Sequence, residues 1–258
     1  MAEDRRIIPE ETPIAFSYEG VSYAVMMATP EDLEDFAVGF SLSEGVISSA
    51  EEIGSLEVVA TDDGILLRMS LGSAPSAAFW RRRRYLAGPS GCGLCGLETL
   101  AQAVRRPPAV TGDLRVAGDA IVEAMAALPG LQPMNRLTGA LHAAAFWTPQ
   151  DGIVAVREDV GRHNALDKLI GAGLRAGVDF ANGICVLTSR CSFEMAQKAS
   201  IAGMPVLAAI SAPTALAIRT ADAAGLTLIG FARGATLSAY AGAWRIPELT
   251  TEPASPGR

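Results

Sequence analysis

The sequence predicts an α/β protein: a three-layer mixed sheet, with a smaller α+β subdomain ahead of it. Three observations carry this. From about residue 116, short apolar runs of strand length alternate with helical patterns. Before that point, two hairpin patterns flank one helix start. Half of the 258 residues are apolar and 19% are charged, enough to build a substantial buried core and too apolar for a disordered chain.

The elements follow in order. Residues 12–28 alternate apolar and polar around Glu19-Gly20, which predicts a hairpin. Thr29-Pro30-Glu31-Asp32 combines a hydroxyl, a proline and two acids, the signals of a helix start, and that helix is predicted to reach about Ser43. Residues 57–60 and 65–71 flank Asp62-Asp63-Gly64 as a second hairpin. A glycine-rich loop and a short helix near 97–104 come next, and Pro107-Pro108 marks a boundary. Beyond it, 118–127 reads as a helix, 141–147 and 153–156 as strands joined through Asp151-Gly152, and 161–174 as a helix. Strands at 183–188, 206–210 and 226–231 then alternate with helices at 192–202 and 214–223. The expected division is residues 1–107, 108–246 and a frayed tail over 247–258 rich in Pro, Thr and Ser.

Composition excludes several functions. A net charge of -7 and a pI near 5.0 argue against general adhesion to nucleic acid. No secretory leader is legible at the start. The apolar stretch 203–218 is broken by Pro205 and Pro213, so it reads as a buried strand and helix rather than a membrane span. Four cysteines do not make a disulfide scaffold, and a reducing cytoplasm fits this usage.

Chemistry is expected first at Cys92 and Cys95. They stand in Gly88-Pro89-Ser90-Gly91-Cys92-Gly93-Leu94-Cys95-Gly96, where four glycines in nine residues oppose helix and strand. The pair is therefore expected on a mobile loop over 86–97. Arg81 to Arg84 lie just upstream, and nearby positive charge favours the reactive thiolate; a solvated charged face is the other reading of that run. By itself Cys-x-x-Cys leaves a redox pair, half of a zinc site or inert thiols open. Cys185 and Cys191 form no second Cys-x-x-Cys, and Cys185 lies in an apolar run that reads as core, so no metal site is expected.

Two further stretches draw attention. Residues 157–168, Arg-Glu-Asp-Val-Gly-Arg-His-Asn-Ala-Leu-Asp-Lys, form the densest polar run beside a predicted helix start, a place where α/β proteins put ligands. Arg162 and His163 are its candidates, against the plainer reading of an ordinary capped helix with exposed charges. His142 reads as a core histidine. Phe231-Ala232-Arg233-Gly234-Ala235-Thr236 follows an apolar strand and offers amides and one arginine to a phosphate; the plainer reading is a tight turn between strands.

Together these stretches resemble the FdhD-type formate dehydrogenase accessory sulfurtransferases, a family of sulfur carriers. The resemblance rests on Cys92-Gly-Leu-Cys95-Gly96, Thr138-Gly139 with His142-Ala-Ala, the run Glu158–Lys168, Glu194-Met195 with Gln197-Lys198-Ala199, Ser211-Ala212-Pro213-Thr214, and residues 225–234. It is collinear from about residue 10 to residue 245. It implies a sulfurtransferase that accepts persulfide sulfur from a cysteine desulfurase on Cys92, assisted by Cys95. The sulfur then passes to the molybdenum cofactor, Mo-bis(molybdopterin guanine dinucleotide), before that cofactor enters formate dehydrogenase. The same resemblance implies cofactor contacts at Phe231, Ala232, Arg233, Gly234, Ala235 and Thr236; the strand–helix junction adds Arg162 and His163 as expected contacts. It also implies a cytidine-deaminase-like fold, a homodimer and a cytoplasmic protein without nucleic-acid or membrane partners. Ala235-Thr236 departs from the Gly-Arg pair frequent in the family. Deaminase activity itself is not expected, because neither His-x-Glu nor Pro-Cys-x-x-Cys occurs. Two rivals use the same cysteines otherwise: a thiol–disulfide oxidoreductase, and a cofactor-binding chaperone whose cysteines ligate metal.

Overall fold

The computed structural model describes residues 7–72, 106–234 and 236–250. Cys92, Cys95, the Arg81–Arg84 run, the helix expected near 97–104 and Ala235 lie outside them. The described chain is a mixed α/β protein with two mixed sheets. Its residues fall into two compact units, each assembled from separate segments of the chain. The first takes Met1–Arg106, Pro129–Ala145 and Ala155–Asp179; the second takes Pro107–Leu128, Phe146–Val154 and Phe180–Arg258.

In the first unit, β1 (Thr12–Tyr18) and β2 (Val21–Ala28) form the expected hairpin. Glu19 and Gly20 both take positive φ at its turn, the geometry a two-residue connection demands. β3 (Ile53–Thr61) and β4 (Gly64–Leu71) form the second hairpin. Parallel pairing of β1 with β4 joins the two into one sheet of order β2-β1-β4-β3. Helix α1 (Leu33–Glu44) packs its aromatic face on this sheet. Phe16 meets Phe36 edge-on at 5.0 Å and Phe40 at 4.0 Å between ring centroids.

The second sheet has the order β10-β9-β8-β7-β5-β6. β5 (His142–Thr148) and β6 (Gly152–Asp159) form one side of it. β7 (Ile184–Leu187), β8 (Val206–Ala209) and β9 (Thr227–Arg233) run parallel, in the apolar runs expected of strands buried on both faces. β10 (Thr236–Ala241) returns antiparallel on β9.

Five further helices complete the regular structure that the sequence marks or that the tail adds. They are α2 (Gly118–Ala127), α4 (Arg162–Arg175), α5 (Phe193–Ile201), α6 (Ala215–Ala224) and α7 (Pro247–Thr250). One short helix, α3 (Pro133–Thr138), was not marked by the sequence.

Candidate functional site

The polar run 157–168 begins as strand and ends as helix. Its charges are not an exposed face. Glu158, Asp159, His163, Asn164, Asp167 and Lys168 are all buried, and Arg162 is half-buried. Each buried charge is satisfied within the first unit. The Asp159 carboxylate accepts from the backbone N–H of Thr29 at 3.0 Å and of Gly161 at 2.7 Å, and from Asn164 Nδ2 at 2.9 Å. Lys168 Nζ lies 2.7 Å from Asp159 Oδ2, both side chains fully buried, and it also donates to the Thr29 carbonyl at 2.8 Å. Glu158 accepts from the N–H groups of Met134 and Asn135 at 3.0 and 2.7 Å, capping α3 from a distant strand.

The same density continues where α4 crosses α1. A Cβ on Gly39 would lie 1.7 Å from the Asp167 carbonyl oxygen, and one on Gly171 would lie 1.8 Å from that of Asp35, so only glycine permits this approach. Ser43 Oγ donates to Asp167 Oδ1 at 2.6 Å. Asp35 accepts from Arg157 and from Arg175 at 2.6 Å each. Asp35, and Glu34 beside it, hold the Arg175 guanidinium above its ordinary pKa, against the opposing effect of partial burial. Within this fabric His163 is 1% exposed, so a ligand meeting it has to reach a buried ring. Arg162 Nε is buried without a hydrogen-bond partner among the described residues.

Phe231–Thr236 is built the opposite way. It belongs to the second unit and is a tight turn between β9 and β10, with Thr236 paired to Arg233. Ala232 is buried, but Phe231, Arg233, Gly234 and Thr236 are exposed. Phe231 has φ 52°, a left-handed conformation that costs a non-glycine residue about 1–2 kcal/mol. The residues around it are closely packed. At Gly230 a Cβ would meet Pro213 Cδ at 2.7 Å and Tyr240 Cε2 at 2.9 Å, and Phe231 N–H is drawn to the Ser211 carbonyl at 3.3 Å. The Arg233 guanidinium carbon lies 5.8 Å from the centroid of the Phe231 ring, and no carboxylate pairs with it among the described residues. An exposed aromatic face beside an unpaired guanidinium is a platform for a planar, anionic ligand.

The described cysteines sit inside the second unit. Cys185, in β7, is fully buried as the apolar run implied, and burial pushes its thiol well above the ordinary value. Cys191 is buried too, its Sγ 3.6 Å from the Ser192 carbonyl oxygen. His142 is half-buried at the start of β5. Among the described residues no cluster of three or more His, Cys, Asp or Glu is placed to hold a metal ion, and no helix is long and apolar enough to cross a membrane.

Comparison with known proteins is decided by one match: the model of the FdhD/NarQ family fits residues 9–247. The chain belongs to this family. The sulfur carrier protein FdhD of Agrobacterium fabrum is 54% identical over 246 residues, covering 95% of this chain and 91% of that protein. The protein of the same name from Xanthomonas campestris is 55% identical over 230 residues, covering 88% and 81%. A crystal structure from Desulfotalea psychrophila, described as a formate dehydrogenase accessory protein, aligns with a TM-score of 0.70 over 93% of this chain and 90% of that one. At 24% identity it speaks for the fold alone.

Within this family member, the signals found from sequence fall on two different kinds of structure. Arg162 and His163 belong to the buried fabric of the first unit, and Phe231–Thr236 to a bare turn of the second. Sequence reading marked Ser211–Thr214 only as part of the family resemblance and gave no role to the loops beside that turn, 188–192 and 210–214. The signal available for them was position: both follow parallel strands at their C-terminal ends, where α/β sheets bind ligands.

Proposed function

We propose that this protein is a sulfur carrier that serves the maturation of a formate dehydrogenase. The observation that supports it is membership of the FdhD/NarQ family across nearly the whole chain, with relatives above 50% identity that bear the name sulfur carrier protein. The Cys92 thiolate attacks the terminal sulfur of a cysteine desulfurase persulfide. A new S–S bond forms on Cys92, the S–S bond of the desulfurase breaks, and its own thiolate leaves, with no net oxidation. For delivery, the Cys95 thiolate attacks Cys92 Sγ and breaks the bond to the carried sulfur. That sulfur departs as sulfide toward the molybdenum cofactor, and a cellular dithiol then reduces the Cys92–Cys95 disulfide.

The cargo-accepting substrate in this reading is Mo-bis(molybdopterin guanine dinucleotide), gripped through its guanine nucleotide by Phe231–Thr236. The exposed Phe231 ring and Arg233 suit a purine and a phosphate. The reading keeps a deaminase-like fold, a homodimer and a cytoplasmic setting as its expectations.

Its test is complementation. In cells whose own carrier is deleted, the wild-type chain should restore formate dehydrogenase activity and Cys92→Ala should not. Full activity with Cys92→Ala, at equal protein level, would overturn the role of that thiol.

A further inference from the structure

The three parallel strands of the second unit end side by side. Ile210 N–H donates to the Leu187 carbonyl at 3.0 Å, and Phe231 N–H to the Ser211 carbonyl at 3.3 Å, so the ends of β7, β8 and β9 lie along one edge. The loops leaving that edge are stitched together. Cys191 N–H donates to the Ala212 carbonyl at 3.3 Å, Thr214 N–H donates to the Cys191 carbonyl at 3.0 Å, and the pair Cys191–Pro213 forms an isolated parallel bridge. The 188–192 loop is thus fixed to the 210–214 loop, which is fixed in turn to Phe231.

Each end of this stitched edge carries one exposed arginine, Arg190 in the first loop and Arg233 after Phe231. Neither guanidinium has a hydrogen-bond or ion-pair partner among the described residues. Long cations held out by rigid backbone, with no carboxylate opposite, are poised for an external anion. The hydroxyl of Ser192, at the start of α5, is buried and has no hydrogen-bond partner among the described residues. Two strand spacings separate β7 from β9, about 10 Å, a span that two arginine side chains and one diphosphate between them can bridge.

We infer that Arg190 is a second anchor for the ligand of the Phe231–Thr236 turn, and that Arg190 and Arg233 together grip a diphosphate group while the Phe231 ring takes the base. This rests on the nucleotide reading above and extends its site to a loop that the reading leaves out. It also names the ligand class: nucleoside diphosphates over nucleosides and monophosphates.

The test titrates the full-length protein with GDP, GMP and guanosine by calorimetry. For the parent, affinity should fall from GDP to GMP to guanosine. Arg190→Gln should weaken GDP about tenfold or more, the scale of one charge-assisted contact, and change guanosine less than about twofold. Arg190→Lys should fall between the two, and Arg219→Gln, an exposed arginine on α6, should match the parent. Thermal denaturation of each variant reports folding separately. If Arg233→Gln weakens GDP and Arg190→Gln does not, the second anchor is wrong and the turn stands. If the parent binds no GDP at millimolar concentration, the nucleotide reading fails and the anchor with it.

Discussion

The run 157–168 and the turn 231–236 both stand at a strand end and both are ligand candidates in the sequence, and they are opposites in structure. In the first, every carboxylate is buried and answered: Asp159 by three donors and Lys168, Glu158 by two backbone N–H groups, Asp167 by Ser43. In the second, the Arg233 guanidinium is exposed and, among the described residues, meets only the Phe231 ring. The difference teaches that polar density does not locate a binding surface. A buried, saturated network fixes shape, because removing one partner leaves an uncompensated charge. A bare cation on a rigid turn costs the fold little and remains available to a ligand.

The largest expected effects test the first half of the comparison. Lys168→Met should leave Asp159 buried against its remaining donors and cost about 3–5 kcal/mol in denaturant unfolding. Gly171→Ala should force α1 and α4 apart at a carbonyl contact and cost about 3 kcal/mol or more. A loss below 1 kcal/mol in either would mean that the run is not the fixed scaffold described.

The second half predicts the reverse pattern. Arg233→Ala should change stability by no more than about 0.5 kcal/mol, as an exposed substitution does, while weakening GDP about tenfold. Phe231→Asn should stay within about 1 kcal/mol of the parent, since asparagine tolerates the left-handed backbone, and should also lose GDP affinity. A large stability loss without loss of binding would make this turn a structural corner.

The contrast between regions explains how much the sequence could reveal. Local signals were readable. Glu19-Gly20 and Asp62-Asp63-Gly64 each carry their own stereochemistry, and α2 runs over the expected residues. The helix expected to start at Thr29-Pro30 begins only at Leu33, after a left-handed Asp32 with no side-chain cap, because the Thr29 hydroxyl accepts from the Val160 N–H instead. Signals made by distant partners were not. β6 continues through Arg157-Glu158-Asp159 because Asp35, the α3 amides and Thr29 satisfy those charges. α3 escapes notice because its N-terminus is capped by Glu158, from a strand that follows it. The two hairpins gave no hint of their parallel junction, since β1 and β4 meet only through the fold. The tight turn between strands that was the plainer reading of 231–236 is what forms, but β10 itself, Thr236–Ala241, was not among the expected strands. At the site, Phe231–Thr236 was legible as a motif, but the strained Phe231 backbone and the stitching of its neighbouring loops belong to packing.

Cys185 carries the same contrast at smaller scale. Its ordinary thiol value is 9.0, and burial raises it in the folded protein. The folded state then holds a proton that the unfolded chain releases, so stability is complete below pH 9 and declines as pH rises above it. Compared with Cys185→Val, the parent should lose up to about 1.4 kcal/mol more per pH unit there, read from unfolding curves at pH 8 to 10.5. Parallel curves would show that this thiol is not held protonated by the core.

The most direct measurement of the account is intact-mass analysis after incubation with a cysteine desulfurase and cysteine, followed by peptide mapping. The parent should gain about 32 Da that cyanide removes, the mass of one sulfur atom, and the label should map to Cys92. The buried Cys185 and Cys191 should carry none. Loading that persists in Cys92→Ala and vanishes in Cys191→Ala would contradict the account, because it would place the sulfur chemistry within the buried core of the second unit.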